Sequence, residues 1–361
     1  MKPLAERMKA ANTLLSPYAV PHGEGLGRTV IEPDDSSRFP FQRDRDRILH
    51  TQAFRRLKHK TQVFVAGHGD HYRTRITHTI EVAQISRDIA RTLQLNEDLA
   101  ESIALAHDLG HTPFGHAGEE AMNECMKAYQ KTFEHNEQSL RIVTILEERS
   151  SRYTGLNLNQ EILEGLMKHR VGHGSSHPRS PSLEAQLVNL ADEVAYTAHD
   201  TDDGLRAKLF TSRDLARCRL GKAALERSKE FGTEVRGSIV HLLINDLYEE
   251  TARLLEANHI KNLHDVYNAK ESLVAFSKKM VEDITELREF LWLHLYGSPA
   301  VKKQANNGRK IIRALFVHYT KHVPEKVKEL KKKTGGSTEE AIKDYIAGMT
   351  DPFAMEAYGK I

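Results

Sequence analysis

The sequence predicts an all-α protein with a helical core and a C-terminal helical extension. Of its 361 residues 28% are charged and only 7% are aromatic, and alternating runs of β-branched residues, which mark half-buried strands, are scarce. Apolar residues recur instead near helical spacing. Composition and the positions of glycine and proline divide the chain into an N-terminal arm (1–40), a core (41–210) and a C-terminal helical part (211–361) that is expected to pack on that core.

Helix-breaking and helix-capping residues predict the first elements of the chain. Four prolines and three glycines between residues 17 and 40 predict an irregular arm. A basic helix is expected over residues 41–60, then a loop at Gly67 and Gly69, then a helix that has His78 in its first turn and ends near Leu93. Asn96 is predicted to cap the helix that leads to His107.

Glycine and proline interrupt the next stretch. Gly110, Pro113, Gly115 and Gly118 predict a compact turn that carries His111 and His116, with a helix resuming at Glu119 or shortly after. Further helices are expected over 133–148, 159–169, 183–200, 235–256, 268–292 and 308–332. A last helix is predicted to open with the capping box Ser337–Glu340.

Residues 171–182 predict a mobile loop because they are rich in glycine, serine and proline. His169, His173 and His177 have a spacing of four, which on a helix would suggest a second metal site. Gly172, Gly174 and Pro178 disfavour a helix there.

Two cysteines, Cys125 and Cys218, cannot form a disulfide scaffold and indicate a reducing compartment. No apolar run approaches the roughly 20 residues of a membrane span, and no apolar leader segment opens the chain. The default expectation is a cytoplasmic protein without a membrane partner.

The most informative motif is His107–Asp108, which follows an apolar helical run. An adjacent imidazole and carboxylate offer a divalent cation a nitrogen and an oxygen ligand. His78 lies upstream on a predicted helix. Downstream, Asp192 begins a set at i, i+4 and i+8 with Tyr196 and Asp200, so the three side chains line one face of the predicted helix 183–200.

Positive charge is concentrated before this motif. Residues 38–75 contain ten lysines and arginines against three aspartates, a surplus of seven. A solvated helix face with alternating charges explains this segment about as well as an anion site does, but a neighbouring metal site favours phosphate binding. A second basic cluster, whose expected role is a solvated face, comprises Lys302, Lys303, Arg309, Lys310 and Arg313.

The order His78, His107–Asp108, Asp192 resembles the signature of the HD metal-dependent phosphohydrolases. Five segments over residues 36–205 are similar to the deoxyguanosine triphosphate triphosphohydrolase branch, short form. They are Phe41–Ile48, Ala53–Phe64, His107–Glu119, Phe133–Asn136 and Asn189–Tyr196. The resemblance implies an all-α HD-domain metallohydrolase core and one divalent cation (Mn, Mg, Zn, Fe, Ni or Co) held by His78, His107, Asp108 and Asp192.

The same resemblance implies the reaction. Water attacks the α-phosphorus of a deoxynucleoside triphosphate, dGTP or several dNTPs, and gives deoxynucleoside and tripolyphosphate. The leaving 5′ oxygen needs a proton donor, and the resemblance gives that role to His116, oriented by Glu119. His111 and His135 are expected to hold phosphate oxygens or water. The substrate contacts implied are Gln62, Arg56, Arg75, Tyr196 and Asp200.

The resemblance also implies a homo-oligomer, often a hexamer, tuned by a second dNTP or by single-stranded DNA. Glu193 follows Asp192 where some relatives have a lysine, so phosphate contacts from that side are in question. Two other classes stay open: an HD phosphohydrolase or phosphodiesterase that acts on another nucleotide, and a non-catalytic regulator that binds nucleotide or single-stranded DNA through residues 38–75.

Overall fold

A computed structural model describes residues 2–62, 73–167 and 180–361. The glycine loop at Gly67 and Gly69, and the three histidines His169, His173 and His177, lie outside the described residues. Within the described ranges the protein is all-α: it has no β-strand, and only isolated bridges pair extended residues. None of the helices described is both long enough and apolar enough to cross a membrane.

The α-helices, numbered in chain order, are α1 Leu4–Asn12, α2 Pro40–Leu49, α3 Gln52–Arg56, α4 Arg75–Thr92, α5 Glu97–Ala106, α6 Gly115–Lys127, α7 His135–Arg141, α8 Gln160–Leu166, α9 Leu183–Arg206, α10 Ser212–Leu215, α11 Arg219–Phe231, α12 Val235–Ala257, α13 Leu263–Asn268, α14 Lys278–Leu291, α15 Pro299–Lys321, α16 Glu325–Thr334, α17 Thr338–Ala347 and α18 Asp351–Tyr358. A 3-10 turn, Leu57–His59, follows α3. The π-helical turns Ile142–Leu146 and Trp292–Tyr296 extend α7 and α14.

Local signals placed several helix ends correctly. Asn96 caps α5 by accepting a hydrogen bond from the Leu99 amide, and Ser337 with Glu340 forms the predicted capping box of α17. The helix predicted from Leu183 is continuous as far as Arg206. These ends were predictable because a cap bonds to residues within its own first turn.

Other boundaries were wrong. The basic helix expected over 41–60 breaks after Leu49. The helix expected over 308–332 divides at Pro324, because proline has no amide hydrogen to continue a helix. α6 begins at Gly115 rather than near Glu119, so His116 lies in its first turn. A further helix, α18, follows the one predicted to be last.

The N-terminal arm is not loose. It contains the unpredicted α1, and Val20 is buried in the core, where its amide donates to the carboxylate of Glu184 on α9. Arg28 pairs with the buried Asp44 of α2. The proline-rich arm therefore has a mostly irregular backbone, but this backbone packs against the core.

Two buried apolar clusters form the core. The larger one contains residues of α2, α4, α5, α8, α9, α11, α12 and α14; the smaller one packs α6 against α15, α17 and α18. The segment after α5 passes from the first cluster at Leu109 to the second at Phe114. The turn with the histidine motif thus lies where the two clusters meet.

Asp351, at the start of α18, fixes this turn from the C-terminal part of the chain. It is 2% exposed, and its carboxylate accepts hydrogen bonds from the Thr61 amide at 3.1 Å and the Phe114 amide at 3.1 Å, as well as from the Thr61 hydroxyl. Nearby, buried Lys60 donates to the backbone carbonyls of His111 and Ala347. Burial lowers the pKa of Lys60 to about 7.

We expect Asp351→Ala to lower the free energy of unfolding by roughly 3 kcal/mol, because two buried amides and a hydroxyl lose their acceptor. Urea denaturation followed by circular dichroism measures this loss. Glu356→Ala on the same helix is the matched control, since Glu356 is exposed and pairs with the exposed Lys360. Equal stabilities of the two variants would show that Asp351 does not hold the turn.

Candidate metal centre and catalytic cluster

Three mutually packed helices position the predicted metal ligands. His78 lies near the start of α4, His107 and Asp108 directly follow the last residue of α5, and Asp192 lies in the middle of α9. The helical register of α4 and α9 turns His78 and Asp192 toward the end of α5. The structure therefore brings together four residues that span more than a hundred positions of the chain.

Asp192 is central to the contacts among these four. Its Oδ1 lies 3.0 Å from His78 Nε2 and 3.7 Å from His107 Nε2. Asp108 Oδ1 lies 3.3 Å from His107 Nε2, and Asp108 Oδ2 lies 3.7 Å from His78 Nε2. The Nε2 atoms of both histidines thus face the two carboxylates.

Hydrogen bonds on the other ring nitrogens fix this orientation. His107 Nδ1 donates to the Ala104 carbonyl at 2.6 Å, and His78 Nδ1 lies 3.1 Å from His199 Nε2. Metal-binding histidines in proteins are usually held in this way through the nitrogen that does not bind the metal.

The electrostatics suit a cation. Burial opposes ionisation of Asp192, but hydrogen bonds from His107 and His78 hold its pKa well below the usual value. Burial likewise opposes ionisation of Asp108, yet His107, His111 and Arg75 keep its pKa well below the usual value. Burial lowers the pKa of His78, which favours the neutral, ligating form. Two imidazoles and two carboxylates are a donor set that fits one divalent cation.

A second cluster adjoins the first through His111. His111 Nε2 lies 3.2 Å from Asp108 Oδ1, and its ring stacks on that of His135 with centroids 3.9 Å apart. Gly110 allows this approach, since a Cβ there would collide with the backbone of His135 and Ser139 in α7. The histidine stack therefore depends on a glycine that the sequence suggested only as a helix breaker.

Glu119 binds the members of this cluster together. Its Oε1 lies 2.9 Å from His135 Nδ1, and its Oε2 lies 3.4 Å from His116 Nδ1. Burial would raise the pKa of Glu119, but hydrogen bonds from His116 and His135 lower it far below the usual range. The His116 side chain is 77% exposed, so it is oriented at Nδ1 while the rest of its ring faces solvent.

The predicted substrate contacts are more dispersed. Tyr196 lies half-buried one helical turn after Asp192, and its hydroxyl accepts a hydrogen bond from Arg288 of α14 at 2.6 Å. Asp200, one turn further on, is buried. Gln62 packs closely against the start of α6: a Cβ atom at Gly115 would lie only 3.3 Å from the Gln62 backbone oxygen. Within the described part of the chain the buried Oε1 of Gln62 has no hydrogen-bond partner.

The two arginines assigned to phosphate differ in environment. Arg56 is exposed and donates to the Gly348 carbonyl at 3.0 Å. Arg75 is 1% exposed and donates to Asp108 Oδ2 at 2.7 Å. Arg75 therefore bonds to a predicted ligand carboxylate, and its contact with a phosphate stays a prediction.

The basic surplus of residues 38–75 is largely neutralised within the fold. Six of its ten cations pair with carboxylates, most of them from other segments: Arg38 with Asp35 and Asp46, Arg43 and Arg47 with Glu32, Arg45 with Glu101, Arg73 with Asp203, and Arg75 with Asp108. Lys60 is buried. The charge that this segment can offer an external anion comes mainly from Arg55, Arg56 and Lys58, which are exposed.

The second basic cluster is also partly paired. Arg309 and Arg313 of α15 form ion pairs with Glu120 and Glu124 of α6. Exposed pairs of this kind contribute little stability, but they remove two of the five cations from the surface charge.

Sequence reasoning missed several residues near the site, among them Arg288 and Tyr296. Arg288 bonds to Tyr196 and pairs with Glu193, so a cation from α14 lies beside the position where some relatives have a lysine. Tyr296 donates its hydroxyl to Asp200. Neither lies in a motif, and only their place on the apolar-patterned α14 and the turn after it could have pointed to them.

The helical fold and the His, His–Asp, Asp centre define an HD-domain phosphohydrolase. The sequence model of the HD domain matches residues 75–197, which include all four predicted ligands, and that of the phosphohydrolase-associated domain matches residues 274–360.

Similar curated proteins identify the branch of HD-domain phosphohydrolases to which the chain belongs. The deoxyguanosinetriphosphate triphosphohydrolase-like protein of Brucella anthropi is 44% identical over 96% of this chain and 95% of its own length. The protein of the same name from Thiobacillus denitrificans is 45% identical over 96% of each chain, and that from Leptospira interrogans is 43% identical over 95% of each. The chain belongs to the deoxyguanosinetriphosphate triphosphohydrolase-like family.

Proposed function

We propose that the protein hydrolyses deoxynucleoside triphosphates, dGTP or several dNTPs, to deoxynucleoside and tripolyphosphate. The observation that carries this proposal is the contact between the two clusters: His111 joins Asp108 of the metal centre to the cluster of His116, His135 and Glu119. A cation site beside an oriented, exposed histidine suits hydrolysis in which the leaving oxygen must be protonated. The names of the relatives support the choice of substrate.

In this reaction a water oxygen forms a bond to the α-phosphorus while the bond from that phosphorus to the 5′ oxygen breaks. A divalent cation held by His78, His107, Asp108 and Asp192 would supply charge neutralisation at the α-phosphate and a lower pKa for water. His116 Nδ1–H donates to Glu119, so His116 can give a proton from Nε2 only as the imidazolium, a form that the carboxylate of Glu119 favours. In that form His116 transfers its Nε2 proton to the departing 5′ oxygen, and the attacking water releases a proton to solvent. His111 Nε2 and His135 Nδ1 are engaged by Asp108 and Glu119, and both rings lie at the junction of the two clusters, where we expect them to hold phosphate oxygens or water.

Product analysis tests the proposal. The protein is incubated with each dNTP and NTP and with Mn²⁺ or Mg²⁺, in water enriched in ¹⁸O. Attack at the α-phosphorus places ¹⁸O in tripolyphosphate, which ³¹P NMR detects as an isotope shift. Pyrophosphate or orthophosphate instead would assign the protein to another class of nucleotide hydrolase, and nucleotide binding without products would indicate a regulator.

Tyr196 is proposed to exclude ribonucleotides by packing its ring against the 2′ carbon. We expect Tyr196→Ala to lower the ratio of kcat/KM for dNTP to that for NTP by roughly 10- to 100-fold, because a contact of this size discriminates by about 1–3 kcal/mol. Tyr196→Phe is the matched control, since it keeps the ring and removes only the bond to Arg288. A variant that merely melts at lower temperature, with an unchanged ratio, would show that Tyr196 is a packing residue.

A homo-oligomer, such as a hexamer, and a second site for dNTP or single-stranded DNA remain part of the proposal. The ion pairs of residues 38–75 leave few cations there for a second anion, so such a site would need cations from outside this segment. Sedimentation at micromolar concentration measures the oligomeric state, and kinetics with an added second dNTP or single-stranded DNA test the second site. A monomer with unaltered kinetics would remove them from the proposal.

A further inference from the structure

A chain of buried polar groups extends from His78 on the side away from the carboxylates. His78 Nδ1 lies 3.1 Å from His199 Nε2, and the two rings meet edge to face with centroids 5.2 Å apart. His199 Nδ1 lies 2.8 Å from Asp200 Oδ1, close enough for an electrostatic contact although the two atoms are not aligned as a hydrogen bond. The Tyr296 hydroxyl donates to the other oxygen of Asp200.

These groups are almost inaccessible to solvent. His199 is 1% exposed and Asp200 is 2% exposed. Polar groups buried to this extent are costly unless they have partners, so their arrangement has a strong effect on the site beside them. None of them belongs to the four predicted ligands.

If His78 binds a cation, the tautomer of each of the two histidines is determined. If His78 offers Nε2 to a cation, its proton lies on Nδ1 and points at His199 Nε2. His199 Nε2 must then accept, because two N–H groups cannot face each other at this distance. The proton of neutral His199 therefore lies on Nδ1, beside the carboxylate of Asp200, where a positive hydrogen is favoured.

A competing use of the same residues is a second cation site. Ligand atoms of His199, Asp200 and Asp203 lie within 4.8 Å of one another. A cation there would need the lone pair of His199 Nδ1, which moves the proton of His199 to Nε2 and the proton of His78 to its own Nε2. That tautomer removes His78 from the first metal centre, so the two sites exclude each other.

Two existing bonds favour the first site. Asp203 Oδ1 already accepts from Arg73 at 2.6 Å, and one oxygen of Asp200 already accepts from Tyr296. Asp203 is therefore paired with a cation and one oxygen of Asp200 is already in use, which leaves fewer carboxylate oxygens for an additional cation.

We propose that His199 is a positioning residue that fixes the tautomer and ring orientation of His78, with Asp200 and Tyr296 holding His199 in turn. This inference rests on the metal centre of the proposed function. His107 obtains the equivalent support from the Ala104 carbonyl, which no side-chain substitution removes. Of the two histidine ligands, His78 thus has a side chain as the partner of the ring nitrogen that faces away from the carboxylates. Asp200 acts through His199 in addition to any contact with substrate.

The test measures Mn²⁺ affinity by equilibrium dialysis in the absence of substrate, together with kcat at saturating Mn²⁺. We expect His199→Ala to bind Mn²⁺ roughly 10- to 100-fold more weakly, the range found when the support of a metal-binding histidine is removed. His199→Gln should recover part of the affinity, because its amide oxygen can accept the proton of His78 Nδ1. Tyr296→Phe, which loses one hydroxyl and keeps the ring, should show a smaller loss and serves if His199→Ala does not fold.

His22→Ala is the matched control. His22 is also a buried histidine, but its contacts are with Phe39, Phe41 and Asn96, and burial lowers its pKa to about 4. It should lose stability and keep the wild-type Mn²⁺ affinity. An equal loss of affinity in His22→Ala, or wild-type affinity in His199→Ala and Tyr296→Phe, overturns the proposal.

The two proposals fail differently. Wild-type protein that retains Mn²⁺ but releases no tripolyphosphate refutes the proposed function, while the dialysis comparison still decides the role of His199. Wild-type protein that releases tripolyphosphate, with His199→Ala unchanged in Mn²⁺ affinity, refutes only the positioning role. Wild-type protein that binds no divalent cation refutes both.

Discussion

Replacing His107 or Asp108 by alanine should abolish metal retention and reduce turnover below detection while leaving the helical circular dichroism spectrum near that of the wild type. Each substitution removes one donor from a set of two imidazoles and two carboxylates, and each donor lies within 3.7 Å of another. The spectrum should persist because both residues follow the last residue of α5 and form none of its turns. Bound metal is measured by mass spectrometry after gel filtration.

The design of this experiment must separate the loss of a ligand from the loss of a buried partner. Asp108→Ala leaves Arg75 buried without its carboxylate, so Asp108→Asn, which preserves size, is made alongside it. Asp98→Ala is the control, since Asp98 lies in the first turn of the preceding helix α5, where it accepts a hydrogen bond from Gln42 and pairs with Arg45. Full activity of either His107→Ala or Asp108→Ala would refute the assignment of the metal ligands.

His116→Ala should lower kcat by roughly 10² to 10⁴ while KM changes little and metal remains bound. The 5′ alkoxide is a poor leaving group, so removal of its proton donor slows bond cleavage more than binding. The side chain is 77% exposed, so the substitution should leave the packing of α6 intact. A substrate ester with a good leaving group, such as a nitrophenyl ester, should show a much smaller loss, because its cleavage needs no proton.

Glu119 should give a related but broader effect. Glu119→Ala removes the partner of His116 and also the acceptor of the His135 amide and ring, so stability should fall together with kcat. Glu120→Ala is the matched control: the next residue on the helix is exposed and pairs with Arg309. If His116→Ala loses metal, or loses only affinity for substrate, then His116 is a ligand or a phosphate-binding residue. The proton would in that case come from His111, His135 or solvent.

The sequence alone predicted the fold class, and it singled out the four residues that the structure brings together as a candidate metal centre. Helical periodicity and caps such as Asn96 and Ser337 depend on atoms within one or two turns, so they can be recognised without knowledge of the rest of the chain. The spacing of Asp192, Tyr196 and Asp200 placed them on one side of a helix for the same reason. The His107–Asp108 pair drew attention because its chemistry does not serve packing.

Only the tertiary structure decided what these residues contact. The surplus of positive charge over residues 38–75 was counted correctly, but carboxylates such as Glu101 and Asp203 neutralise much of it across the fold. Asp351, Arg288 and Tyr296 reach the site from distant parts of the chain, and His199 lies behind His78 because α4 packs on α9. Such contacts leave no local pattern, since burial and pairing are set by which helices meet and not by the spacing of residues along any one of them.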